Sequence, residues 1–290
     1  MNPSPKFSQP QQEERNIAVE SEENAQGANI DVNEAHLPSP AAAIHEEIRQ
    51  EGQKELERDA LALLWSAIAA GISMGTSFMA VGMLHQHLVD VPGAFLVECF
   101  GYTIGFVIVI MARQQLFTEN TVTAVLPIMH KPTCRNFLLL GRLWLVVLAG
   151  NLVGTALAAL AFSYMPVFDS ATQRALVDIA MKVMNNSPTE MFANAIISGW
   201  IIATMVWMLP RAGSAKLWII IIMTWMIAFS HLTHIVAGAS EIFYLVFIGQ
   251  ISWQAFIWPF ALPTLAGNII GGTFIFALIS HAQIRSDMHY

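Results

Sequence analysis

The side chains able to do chemistry are gathered in two short polar interruptions of an otherwise apolar chain. The first reads Arg113-Gln-Gln-Leu-Phe-Thr-Glu-Asn120; the second reads Ser230-His-Leu-Thr-His234 and is followed by a Gly-Ala-Ser stretch and Glu241. Residue type alone allows three chemistries. Ser230 beside His231 and His234 could supply a nucleophile and its base. His231, His234 and Glu241 could ligate zinc. Hydroxyls, an imidazole and an arginine lining a membrane conduit could handle a small ion and its proton. A break that lines a pore accounts for Ser230 more simply than catalysis does. The same break leaves the His231–His234 spacing without meaning for a metal, so no metal is assigned. His85, His87 and Asp90, read as an outer loop, are expected to be solvated. Glu98, inside an apolar block, must face a cavity or a partner.

The elements that carry these residues follow from composition. The 290 residues are 55 % hydrophobic and only 12 % charged, with a mean hydropathy of +0.52. Residues 1–59 hold 5 Lys/Arg against 13 Asp/Glu, whereas residues 60–284 hold 8 against 7. The formal charge of −7 therefore belongs to the amino-terminal segment. A nearly neutral apolar body of this size excludes a soluble enzyme, a nucleic-acid binder and a disordered chain. Cys99 and Cys134 stand in different surroundings and imply two reduced thiols.

A bilayer core of about 30 Å needs about 20 apolar residues in a helix. Solid apolar blocks predict six spans, near 61–83, 93–111, 137–164, 191–209, from 217, and 256–280. Lys and Arg concentrate in the two tails and the even-numbered connections, with only Arg174 and Lys182 opposite, which predicts both termini in the cytoplasm. The polar amino terminus has no apolar signal core, so the first span is expected to act as an uncleaved insertion signal. Residues 1–40 read as a disordered acidic tail. Residues 41–59 read as an amphipathic helix with Ile44, Ile48 and Leu56 on one stripe, a solvated stalk, a pore cover or a partner-docking element. A pore domain over 60–284 and a short cytoplasmic tail over 285–290 complete the chain.

The second and fifth spans are broken by the two polar patches, and a broken helix is tolerated at membrane depth only where it is buried in protein or lines a cavity. Gly150-Asn-Leu-Val-Gly154 recurs as Gly267-Asn-Ile-Ile-Gly271, an offset of 117 residues. The same offset carries Leu116–Asn120 onto Thr233–Ala237, inside the second break. Three spans separate the copies, so the halves face opposite ways: an inverted repeat. Gly150, Gly154, Gly267, Asn268 and Gly271 are read as helix-packing residues, small side chains that let helices approach.

At these motifs the chain resembles the formate/nitrite transporter family. Leu116-Phe-Thr118 matches the family's motif at the first break, His234 its histidine at the second, Leu262-Pro-Thr-Leu-Ala-Gly-Asn-Ile-Ile-Gly-Gly272 its closing motif, and Lys182 a lysine before the fourth span. The resemblance covers about residues 60–284. It implies an all-α membrane protein with an aquaporin-like arrangement of six helices, five copies forming a homopentamer with one pore each. It implies conduction of small monovalent anions such as formate or nitrite across a bacterial inner membrane, with no cofactor and no nucleic acid. His234 and Thr118 would sit at the centre of the pore, with Tyr102, Phe106, Leu116, Phe117 and Ile227 as apolar constrictions, or as ordinary packing residues. Lys182 outside and Arg113 near the inner mouth would attract anions; Arg113 could instead snorkel or pair with Glu119. Departures are equally specific. Gln115 and Thr233 stand where the family has acids, and Gly199 and Gly238 where it has asparagines.

The physics suits such a pore. A bare carboxylate in a dry constriction has an idealised cost on the order of 20 kcal/mol, against about 2 to 7 for a neutral polar molecule. An imidazole able to exchange a proton removes most of that difference. Two other readings stay open: a channel for water or a neutral solute, and a non-conducting membrane sensor or scaffold that uses its acidic tail to bind a partner.

Overall fold

The computed structural model of the protein describes residues 39–287. Most of the expected acidic tail, and the last three residues of the chain, lie outside that range. Among the described residues every regular element is helical. In order these are α1 (Pro40–Glu57), α2 (Ala60–His87), α3 (Ala94–Met111), α4 (Phe117–Asn120), α5 (Val125–His130), α6 (Cys134–Tyr164), α7 (Ser170–Met184), α8 (Pro188–Met208), α9 (Lys216–Phe229), α10 (Ile235–Phe247) and a last helical run, α11 (Trp253–Ile284). Local chemistry sets several starts. Asp59 accepts from the Leu61 and Ala62 amides, Asp169 from that of Thr172, and Ser187 with Glu190 forms a reciprocal capping box. The amide bonds hold the Asp169 carboxyl below its ordinary range. α11 is interrupted at Trp258, whose extended backbone precedes Pro259, a ring that crowds the helical conformation of the residue before it.

Among the described residues, five helices are long and apolar enough to cross a membrane: α2, α3, α6, α8 with its short extension to Arg211, and α11. The fifth expected span is interrupted at its polar patch, forming two shorter apolar pieces, Gly213–Phe229 and Ile235–Phe247. His85 and His87 stand on a helix rather than in the expected loop, and His87 is exposed as expected. The helix of the first span runs four residues beyond Met83, so both histidines sit on its last turn, and His85 Nδ1 lies 3.1 Å from the Glu98 carboxylate.

Two close helix crossings organise the core. α2 packs along α6, and α8 along α11. A methyl on Gly154 would fall 2.1 Å from the Ile68 carbonyl oxygen, and one on Gly271 would fall 2.0 Å from that of Ile196, so only glycine permits these backbone contacts. Outside, large apolar side chains such as Leu145, Trp258 and Phe274 stand more than half exposed, a surface that lipid or neighbouring subunits must cover.

Candidate functional site

The two breaks are built alike. Each begins with a residue in the left-handed region, Arg113 at φ 52° and His231 at φ 51°, a conformation that costs a non-glycine residue about 1–2 kcal/mol. Each is closed by the same backbone bond, Gln114 N to Val109 O at 2.9 Å and Leu232 N to Ile227 O at 3.0 Å. The chain then runs extended through Leu116 and through His234, and a new helix starts. Its first amide is taken by an asparagine from a distant helix. Phe117 N donates to Asn151 Oδ1 and Ile235 N to Asn268 Oδ1, both at 2.9 Å. The amide group of Asn151 in turn donates to the Ala67 and Gln115 carbonyls, and that of Asn268 to the Ala195 carbonyl and the Ser198 hydroxyl. The two asparagines therefore do more than pack helices: they hold the ends of the interrupted ones. These bonds also correct the register read from sequence. Asn151 and Asn268 are 117 apart, but the residues they hold are 118 apart, so Leu116 corresponds to His234 and not to Thr233.

Thr118 and His234 meet at the centre. Thr118 Oγ1 lies 2.8 Å from His234 Nε2, and both side chains are buried. His234 Nδ1 accepts the Ala237 amide at 3.1 Å, capping α10. A backbone amide can only donate, so Nδ1 carries the lone pair and the ring proton is on Nε2, pointing to the Thr118 oxygen. Both ring nitrogens are engaged, and the Thr118 hydroxyl proton has no acceptor among the described residues. The pair thus offers a guest a buried O–H donor beside a neutral imidazole, rather than the free proton-exchanging ring expected from sequence. Phe106 meets the imidazole edge-on at 5.2 Å between ring centroids, and Tyr102 packs on Phe106 at 5.4 Å. Leu116, Phe117 and Ile227 are buried as well, but the Phe117 ring turns to Trp144 at 5.8 Å.

A cavity lies on each side of this closed centre. The larger, about 500 Å³, is lined by Arg113, Gln115, Glu119 and Lys216 and is roofed by α1 through Glu51 and Glu55. The smaller, about 130 Å³, is lined by Tyr102, Lys182, Glu98, His231 and Glu241. Tyr102 lines one cavity and Ile110 the other, eight positions further along α3, so the closed stretch is roughly 12 Å long. Arg113 makes an ion pair of 2.6 Å with Glu51 of α1. α1 is a docked cover rather than a free stalk. Arg142 donates to the carbonyls at its carboxyl end, Leu56 and Arg58, and Gly52 rests directly on the Thr123 carbonyl. Burial pushes the Glu55 carboxyl above its ordinary value. His45 lies 3.1 Å from His281 of α11, and burial with that neighbour pushes its pKa down to about 4.

Four departures from the family pattern are filled by local contacts, while Gln114, which with Arg113 stands where the family has Gly-Ala, keeps a buried Oε1 with no hydrogen-bond partner among the described residues. Gln115 accepts from Asn120 Nδ2 at 2.9 Å, and Thr233 donates to the Met191 carbonyl at 2.7 Å, so neutral bonds stand where acids were missing. Gly199 sits against the Asn268 backbone, and the Phe260 ring occupies the space beside Gly238. Sequence reasoning missed Asn151, Ser198 and the position of Glu241. The signal for Glu241 was present, since it lies seven residues, two helical turns, beyond His234.

Residues 42–282 match the family model described as formate/nitrite transporter. The chain is 67 % identical over 272 residues to the Escherichia coli inner membrane protein YfdC, covering 94 % of this chain and 88 % of that protein. It is 27 % identical over 246 residues to a formate-nitrite transporter of Plasmodium ovale, covering 78 % of each. Among solved structures, it superposes with a TM-score of 0.71 on an FNT family ion channel, at 22 % identity over 83 % of this chain and 98 % of that one. A pentameric formate channel with formate bound gives 0.65, at 21 % identity over 78 % and 98 %. At these identities the likeness is one of fold.

Proposed function

The chain belongs to the formate/nitrite transporter family, and from that premise we propose that it is a channel for small monovalent weak-acid anions such as formate or nitrite. It acts in the bacterial inner membrane as a homopentamer, each protomer with its own pore, both termini in the cytoplasm. Its six spans form two inverted halves, α9 and α10 together making the interrupted fifth. The larger cavity under α1 is then the cytoplasmic vestibule and the cavity with Lys182 the outer one.

The observation that carries this reading is the Thr118–His234 pair, buried with an unused hydroxyl proton between two cavities that hold cations. Lys182 draws the anion in. Across the roughly 12 Å of closed pore a bare anion is far costlier than its neutral acid. The Thr118 hydroxyl supplies the one hydrogen bond a small guest needs at the narrowest point. Tyr102 and Phe106 exclude water and larger solutes.

The test is flux into proteoliposomes of formate, nitrite, chloride and water by the wild type and by His234→Ala. The expected result is formate and nitrite flux that the substitution reduces. Unchanged anion flux in the variant would overturn the role of His234. Water flux without anion flux would replace the proposal with a neutral-solute channel, and no flux of either kind would favour the sensor.

A further inference from the structure

Glu241 is an anomaly that the proposed pore does not yet use. It is 8 % exposed and lines the outer cavity, yet among the described residues its carboxyl makes no hydrogen bond and no ion pair. The other carboxyl of that cavity, Glu98, is answered by His85 at 3.1 Å. A carboxyl at membrane depth that holds nothing in place is costly to keep and serves no structural end. It also lies on the face of α10 that carries His234, two turns away, and shares the outer approach to the closed stretch with Tyr102.

The cavity defines the guest. At about 130 Å³ it admits a molecule of a few atoms. Lys182 offers only donors, so the guest must accept; a Glu241 carboxyl that has passed on its proton only accepts, so the guest must be able to take that proton and then donate it. Chloride and nitrate accept and cannot donate. A weak acid satisfies both, its carbonyl or nitroso oxygen toward Lys182 and its O–H toward Glu241. The proton cannot come from His234, whose nitrogens are both engaged.

We infer that Glu241 is the proton-sharing group that loads weak-acid anions in the outer cavity and selects them over anions of strong acids. The step balances: the Glu241 O–H bond breaks as an O–H bond forms on the entering formate. Glu241 is left as a carboxylate in the cavity that holds Lys182, and it regains its proton from water at the open end. One proton accompanies each acid past Phe106 and His234 and is released in the inner vestibule. The other titratable groups facing this chamber are Glu98, Cys99 and Tyr102 from α3, Lys182 from α7 and His231 from the break; α2 contributes Val81, and α6 and α11 contribute no lining side chain.

The inference rests on the anion-channel reading, and two measurements separate their failures. In proteoliposomes the wild type should take up formate together with protons, faster at lower outside pH, and exclude nitrate. Glu241→Gln, nearly the same shape but unable to exchange a proton, should lose about tenfold or more of formate flux and the dependence on outside pH, and its formate preference over nitrate should fall. Wild-type flux, pH profile and selectivity in Glu241→Gln would overturn the inference alone. Independently of transport, infrared difference spectra of the wild-type pentamer on adding formate should show a change in the carbonyl stretch of a protonated carboxyl that nitrate does not elicit and Glu241→Gln abolishes. No such change in the wild type would also overturn it. The spectral change without flux would retain Glu241 as the weak-acid site and defeat the channel reading.

Discussion

Replacing Asn268 by alanine tests how the interrupted fifth span is held. Its amide accepts from Ile235 N and donates to the Ala195 carbonyl and the Ser198 hydroxyl, each at 2.9 Å, with the side chain fully buried. Ala195 retains its helical acceptor role, and Ser198 still donates to the Thr233 carbonyl. The stranded group is the Ile235 amide, the first of α10, with no other acceptor among the described residues. A buried donor left unpaired costs about 1–3 kcal/mol, and the other two bonds add about 1 kcal/mol together. A loss of about 2–4 kcal/mol lowers the melting temperature of a chain this size by roughly 5–12 °C. Ile235 adjoins His234, so the 2.8 Å contact to Thr118 should loosen and formate flux should fall further than stability alone explains. Asn151→Ala should act alike through Phe117, the neighbour of Thr118. The assays are thermal unfolding of the purified pentamer and proteoliposome flux. An Asn268→Ala protein that melts within about 1 °C of the wild type and conducts normally would refute the capping argument.

Three further outcomes follow from the geometry. Thr118→Val keeps the volume and removes the buried hydroxyl, and loss of its hydrogen bond to the neutral acid, about 0.5–1.5 kcal/mol, should lower formate flux roughly 2- to 10-fold, with Thr118→Ser restoring most of it. Gly52→Ala would put a methyl 1.8 Å from the Thr123 carbonyl oxygen, so α1 must lift from the vestibule, read as faster hydrogen exchange over residues 40–57. His45 is held neutral beside His281, with Glu46, Arg49 and His130 as the other charged or titratable groups near it. Its pKa is lower folded than unfolded, so the docking it supports is complete above about pH 6.5 and is lost as pH falls through about 4. With the ring buried, on the order of 3 kcal/mol of α1 docking is at stake. Hydrogen exchange of α1 at pH 7.5 and 4.5 should show this loosening, and His45→Gln should flatten it.

Sequence alone carried the membrane class, the location of the spans and both interruptions, because a bilayer requires solid apolar blocks and makes every polar run inside one conspicuous. It also put Thr118 and His234 on the two breaks, since their types stand out against that background. What it left open depends on distances between remote segments. The offset of 117 is one residue short at the breaks because an asparagine side chain chooses the nearest free amide, a choice no spacing records. Glu98 and Glu241 look equivalent as letters, and only packing gives one a histidine and leaves the other alone. The amphipathic stripe of residues 41–59 fits a stalk as well as a cover until Gly52 meets Thr123 and Arg113 meets Glu51. The protonation pattern of His234 was likewise settled by one backbone amide. Periodicity fixes which residues must leave water; only the folded backbone fixes which partner each polar atom then finds.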